Sequence, residues 1–192
     1  MSRTGRRPGD SGARRAILTA ARSAFAANGF HAATIRAIAS DAGVDPALVH
    51  HYFGSKEDLF AESIALPFRP ADAAGIIMQH GLERAGEGAV RLFMSAWESQ
   101  PTRDALLALL RGALTTEHGA DALREFVGTA LLVRIAAAMD IEDAEVRVAL
   151  AAAHLVGVAV LRYVVGIEPL RAATVEELVV LVGPRLQSYF DG

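Results

Sequence analysis

Thr34-Ile35-Arg36-Ala37-Ile38-Ala39-Ser40-Asp41-Ala42-Gly43-Val44-Asp45-Pro46-Ala47-Leu48-Val49-His50-His51-Tyr52-Phe53 is the stretch on which the reading of the fold turns. Thr34 starts a short helix containing Ile35, Ile38 and Ala39, and Gly43 stops it. Ala39 sits four residues before Gly43. A small side chain there lets two helices cross closely, and glycine supplies the backbone freedom of a tight turn. Asp45 is a good N-cap, and Pro46 suits the first helical position, where an N–H would be unpaired anyway. The next helix is very short and ends near Tyr52-Phe53-Gly54. Val44 and Val49 point back toward Ile35, Ile38 and Phe25, which leaves the polar side chains facing outward. The spacing is that of a helix-turn-helix, and an exposed helix of this kind fits the major groove. An ordinary small helical bundle has the same spacing.

The flanking sequence is helical as well. Ile17, Ala20, Ala21, Ala24 and Phe25 form the apolar stripe of an amphipathic helix. Asn28-Gly29 ends it, with Gly29 suited to a left-handed position after the last turn. Ser55 caps a fourth helix, with Asp58 three residues on in a capping-box-like pair. Pro67 and Pro70 then break the chain. They divide it into residues 1–66, an N-terminal arm and helix-turn-helix domain with its motif at about 34–53, and residues 67–192, a larger helical domain. Further helices are expected near 72–80, 85–99, 103–118, 121–139, 143–166 and 174–190. The fold class is all-α.

Composition narrows the function. The 192 residues are 52% hydrophobic and 21% charged, enough to bury a sizeable core. The absence of cysteine excludes disulfides, thiolate metal sites and cysteine nucleophiles, and fits a reducing cytoplasm. The first residues are polar and arginine-rich, without the apolar stretch of a signal peptide. Val148 to Leu161 is apolar but shorter than the ~20 residues a bilayer needs, so a buried helix and no membrane partner are expected. The formal charge is −3, yet residues 1–60 carry eight basic and five acidic groups; this asymmetry points to a nucleic-acid-facing N-terminus on an acidic body, with plain solvated surface as the alternative.

Taken together, Ile17–Phe25, Asn28-Gly29-Phe30, Thr34–Ala39, Ala42-Gly43-Val44, His50–Phe53 and Ser55–Leu59 closely resemble the N-terminal domain of the tetracycline-repressor (TetR) family of transcriptional regulators. The resemblance covers roughly residues 11–62. It implies a homodimeric, usually ligand-released repressor that binds a double-stranded DNA operator.

Roles carry over by position. Thr34 opens the first motif helix, where a hydroxyl and a helix N-terminus hold a phosphate or simply cap the helix. Arg36 follows on the same helix. Pro46, Ala47, His50 and His51 lie on the recognition helix and its start. Ala47 suits a thymine methyl, and His51 a base edge or phosphate. His50 occupies a position where many family members carry a phosphate-contacting tyrosine, which weakens that role. Tyr52 can donate its hydroxyl to the DNA backbone, whereas Phe53 reads as core. Lys56, the only lysine in the chain, lies in a first helical turn, where a cation opposes the helix dipole and suggests a phosphate partner. Arg3, Arg6 and Arg7 resemble flexible minor-groove arms, or a solvated tail. So short a helix reads only a few base pairs, so a two-fold dimer on a palindrome is expected, with half-sites about 34–36 Å apart.

In the larger domain, small residues among valines and leucines at Val148–Ile167, and the apolar run Val175–Phe190, look like the family's four-helix dimer interface. They also suit an intramolecular core. Phe93, Met94, Trp97, Leu110, Leu114, His118, Phe126 and His154 are candidate lining residues for an unknown small-molecule effector, with core packing as the alternative for each. His118 and His154 lack multi-ligand metal spacing, and no metal or cofactor is expected. An effector would act by shifting helix Ser55–Leu66 and changing the separation of the recognition helices. No catalytic motif is present. Gly86-Glu87-Gly88 reads as a turn between helices, and Glu176-Glu177 as dipole partners at a helix start. The alternatives are a helical small-molecule-binding or interaction module that no longer binds DNA, and an activator rather than a repressor.

Overall fold

The computed structural model describes residues 10–191, so the expected arm at Arg3, Arg6 and Arg7 lies outside the described residues. Among the described residues there is no strand. Four helices form the N-terminal part: α1 (Asp10–Ala32), α2 (Ile35–Ala42), α3 (Pro46–Phe53) and α4 (Lys56–Ser63). The C-terminal part holds α5 (Ala73–Ile77), α6 (Ala85–Glu98), α7 (Gln100–Thr115), α8 (Glu117–Leu123), α9 (Val133–Met139), α10 (Ala144–Ala159), α11 (Glu168–Ala172) and α12 (Val175–Phe190).

The N-terminal caps follow from their residue types. The Thr34 hydroxyl accepts from the Ala37 N–H at 3.1 Å, and the Asp45 carboxylate from the Ala47 N–H at 2.8 Å. The Ser55 hydroxyl accepts from the Asp58 N–H at 3.0 Å. Each removes one unpaired helical donor, for about 1 kcal/mol. Gly43 is left-handed (φ 67°, ψ 34°), and its N–H closes α2. Gly29 also has positive φ, but with ψ 174° it breaks the helical path within α1 rather than taking the left-handed form. Ile17, Ile38, Leu59 and Val49 are almost fully buried between the four helices. Burying each such side chain contributes about 1.5–3 kcal/mol.

The apolar core of the N-terminal helices reaches across the boundary at Pro67. Ala122, Phe126 and Ala130 pack into the same apolar cluster as α1 to α4. The expected helix at 121–139 is α8, a π-helical stretch Arg124–Leu132 and α9, and the wider turn begins just before Phe126. Helix α11, with Pro169 in its first turn, was not expected from the sequence.

Two sequence expectations need correction. Gly86 and Gly88 do not form a turn between helices but lie buried inside α6. A Cβ on Gly86 would stand 2.3 Å from the Gly183 carbonyl oxygen of α12, and one on Gly88 2.1 Å from the Ile77 carbonyl oxygen of α5. The glycines are there because backbone meets backbone. Gln187 locks the contact: its side-chain oxygen accepts from the Gly86 N–H at 2.9 Å, and its amide donates to the Leu82 carbonyl at 3.1 Å.

The second correction concerns Val148–Leu161. It belongs to a continuous 22-residue helical run, Ala144–Val165, with mean hydropathy 2.0, long and apolar enough to cross a membrane. Only 28% of its most apolar window is buried. Val148, Ala151, Leu155 and Ala159, spaced three and four apart, face the core. Val146, Leu150, Leu161, Val164 and Val165 are exposed, as are Val180 and Leu181 on α12. The helix is therefore only partly buried, with an uncovered apolar face.

The α5–α6–α12 contact makes a direct stability prediction. Gly88→Ala forces a methyl group onto the Ile77 carbonyl and is expected to cost about 1–3 kcal/mol, read as a lower urea midpoint. The neighbouring exposed change Ser95→Ala serves as the unaffected control. An unchanged midpoint for Gly88→Ala would mean that the backbones are not in contact.

Candidate functional site

The turn between α2 and α3 sets the face that α3 presents. Val49 and Phe53 are buried beneath it, while Ala47, His50 and His51 are exposed, with Pro46 and Tyr52 half-buried beside them. Thr34 and Arg36 are exposed on α2. These side chains stand on rigid, capped helices, so their spacing is set before any ligand arrives.

Two of them are not free in the way the sequence suggested. The His50 Nδ1 lies 2.9 Å from the Gly54 carbonyl, which can only accept, so Nδ1 carries the proton. In neutral His50 the outward Nε2 is then an acceptor, suited to a base amino group. It can donate to a phosphate only when the imidazole is protonated. The Lys56 ammonium donates to the His31 carbonyl at 3.1 Å and sits 4.4 Å from the Phe30 ring centre. This packing accounts for a cation in the first turn of α4 without a phosphate, although its remaining N–H donors stay available.

Helix α4 is held along its whole length. Lys56 ties its start to α1. Phe60 meets Phe25 at 4.9 Å, Phe30 at 5.1 Å and Phe126 at 4.6 Å between ring centres, all edge-on. Arg22 donates from Nε to the Ser63 carbonyl at 2.9 Å. Just beyond α4, the buried Thr102 hydroxyl of α7 donates to the Ala65 carbonyl at 2.6 Å.

Phe126 also lines a partly open cavity of about 230 Å³ between α6, α7, the π-helical stretch and α10. Of the candidate lining residues, Phe93, Trp97, Leu110 and Phe126 meet there. Met94 is buried in core packing instead, and Leu114 is 79% exposed on the outer side of α7. His154 is half-buried and does not line the cavity, and the side chain of His118 lies outside the described residues. Leu106, Leu109, Val127 and Leu131 are among the further wall residues, which the sequence did not single out. Their helical spacing was legible, but it does not distinguish a wall from a core. A larger, more open cleft of about 780 Å³ runs between α1, α4, α7 and α8, with Arg22, Asn28 and Thr116 on its surface.

A polar cluster fixes Trp97 at the cavity edge. The Trp97 ring stacks on Tyr163 at 5.5 Å. The Tyr163 hydroxyl donates to Glu98 at 2.7 Å. Buried Arg162 donates to Glu98 at 3.0 Å, to the Tyr163 hydroxyl at 3.0 Å, and to the Leu170 and Ala173 carbonyls. Burial alone would raise the Glu98 carboxyl, but the hydrogen bonds from Tyr163 and Arg162 outweigh it and hold the carboxyl below the usual range. Sequence distance hides this cluster, since Glu98 and Arg162 are 64 residues apart.

Comparison with known proteins places these features. The family described as "Bacterial regulatory proteins, tetR family" matches residues 17–63, and "Tetracyclin repressor-like, C-terminal domain" matches residues 83–190. A TetR-family regulator from Streptomyces coelicolor A3 is similar in structure. It is 39% identical, with a TM-score of 0.60, over 98% of this chain and 99% of that one. The HTH-type transcriptional regulator BetI of Rhizobium meliloti (strain 1021) is 49% identical over 51 residues, 27% of this chain and 25% of that protein. The HTH-type transcriptional regulator UidR of Escherichia coli (strain K12) is 46% identical over 43 residues, 22% of each protein. These two matches therefore span about a quarter or less of the curated relatives.

The Trp97 support is testable by titration. Burial, with the hydrogen bond to Glu98, pushes the Tyr163 hydroxyl up to about 12. A hydroxyl that keeps its proton longer when folded stabilises the protein up to its unfolded pKa of about 10, and that contribution is lost as pH rises toward about 12. Ultraviolet titration should show a late tyrosine ionisation that is missing in Tyr163→Phe. Superimposable wild-type and variant curves at the alkaline end would refute the cluster.

Proposed function

The chain belongs to the tetracycline-repressor family of DNA-binding transcriptional regulators, and from that premise we propose that it is a cytoplasmic, homodimeric repressor released from a palindromic operator by a small molecule. The observation that carries the DNA-binding part is α3, whose buried Val49 and Phe53 leave Ala47, His50 and His51 exposed together. In this reading Ala47, His50 and His51 meet base edges in the major groove, with Pro46 starting the helix that bears them. Thr34, Arg36, Tyr52 and Lys56 meet the flanking phosphates.

A second copy of the chain covers the apolar face of the Ala144–Val165 run and α12. Leu150, Val164, Val180 and Leu181 are exposed there on neighbouring helices. A lone membrane-crossing helix fits poorly, because one side is packed on α6, α9 and α12 and Arg162 is buried within the run. The cavity provides the switch. An effector that favours the DNA-incompetent arrangement displaces Phe126, and with it Phe60 and α4, by an amount limited by its preference for that arrangement. The signal has a short route, since Phe126 touches both the cavity and α4.

Selection from a random duplex library should enrich a palindrome. Arg36→Ala should weaken binding across sequences and lower the salt slope by about one, whereas His51→Ala should relax preference at one position, a loss of about 1–3 kcal/mol. Absence of any enriched palindrome would remove the repressor reading. In a separate sizing experiment, wild type should elute at about twice 20.3 kDa. The double change Leu150→Glu, Leu181→Glu should elute as a monomer and lose the operator. A monomeric wild type would rule out the dimer.

A further inference from the structure

The cavity beside Phe126 has an unusual wall. Every lining side chain is alanine, valine, leucine, isoleucine, phenylalanine or tryptophan. The indole N–H of Trp97 is the one side-chain hydrogen-bonding group among them. No carboxylate, cation, hydroxyl or amide side chain lines the space, so a charge placed inside it would lose its water without gaining a partner. Such a transfer costs far more than apolar contacts return. A ligand with several hydroxyl groups fails for the same reason.

Size sets a second limit. Dry cavities of about 150 Å³ lined by leucine, isoleucine and phenylalanine accept benzene. The space inside this partly open cavity, at about 230 Å³, is half as large again. We infer that the effector is an uncharged, predominantly hydrocarbon molecule of about ten non-hydrogen atoms, of alkylbenzene or monoterpene type, carrying at most one acceptor for the Trp97 N–H. The inference rests on the reading of the chain as a ligand-released regulator and supplies the chemistry of its ligand. A charged effector would instead have to use the open cleft lined by Arg22 and Asn28, which does not contain Trp97.

Trp97 is the only tryptophan in the chain, so its fluorescence reports occupancy of the apolar cavity without DNA present. The test titrates the full-length, DNA-free protein with p-cymene and, separately, with its carboxylate counterpart p-isopropylbenzoate. The expected result is a saturable change with p-cymene and at least roughly a hundredfold weaker response to the carboxylate. Equal or tighter binding of the carboxylate overturns the proposal, as does a lack of response to p-cymene up to its solubility. Leu110→Phe and Val127→Phe each narrow the cavity. Either one, if it keeps the wild-type thermal transition, should lose the p-cymene response, and a folded variant that binds p-cymene as wild type does also overturns it. Operator release by p-cymene is scored separately. Binding without release would remove the ligand-release reading while the ligand class stands.

Discussion

The edge-on contact between Phe60 and Phe126, 4.6 Å between ring centres, is the joint on which this molecule depends. It belongs to a four-phenylalanine cluster, with Phe25 and Phe30, that closes the core beneath the helix-turn-helix. Edge-to-face aromatic pairs are worth about 0.5–1.5 kcal/mol beyond the area they bury, so the cluster is stiff and directional. Helices α1 to α4 do not complete their own core. They use Phe126, Ala122 and Ala130 from the larger domain. A change in the C-terminal cavity therefore meets the back of the helix-turn-helix unit after a single side chain.

The rest of the architecture keeps that joint in place. The glycine contacts of α6 with α5 and α12 bring three backbones together, and Gln187 ties the start of α6 to α12. This rigid pairing forms one side of the cavity. The π-helical stretch forms another, and π segments are often found at functional sites. The Glu98–Arg162–Tyr163 cluster holds Trp97 at the edge of a cavity whose lining side chains offer no other hydrogen-bonding group.

The same long helix serves the inside and the outside of the domain. Val148, Ala151 and Leu155 of α10 reach the cavity, while Val146, Leu150 and Val164 of the continuous run lie exposed. In the proposed dimer, a helix shared in this way would link occupancy of the cavity to the geometry of the surface that faces the second copy. Under that proposal two recognition helices would read one operator only at a set separation, so a small tilt of this run would be enough to change the fit.

Much of this was determined by the sequence alone. The helix-turn-helix, its caps at Thr34, Asp45 and Ser55, the turn at Gly43 and the buried Ile17, Ile38, Val49 and Phe53 depend on interactions within a few residues or on helical periodicity, both of which are printed in the chain. Periodicity also located most of the C-terminal helices, but it could not say which apolar residues form a wall, a core or an exposed face, because all three share the same three-and-four spacing. Only the tertiary structure decided that Phe126 lines the cavity while Leu114 faces solvent, and that Gly86 and Gly88 are points of backbone contact rather than a turn. It also revealed that Lys56 packs on Phe30 and that Glu98 finds Arg162 across 64 residues. Such pairings depend on how distant helices cross, a property of the packed chain that no local pattern records.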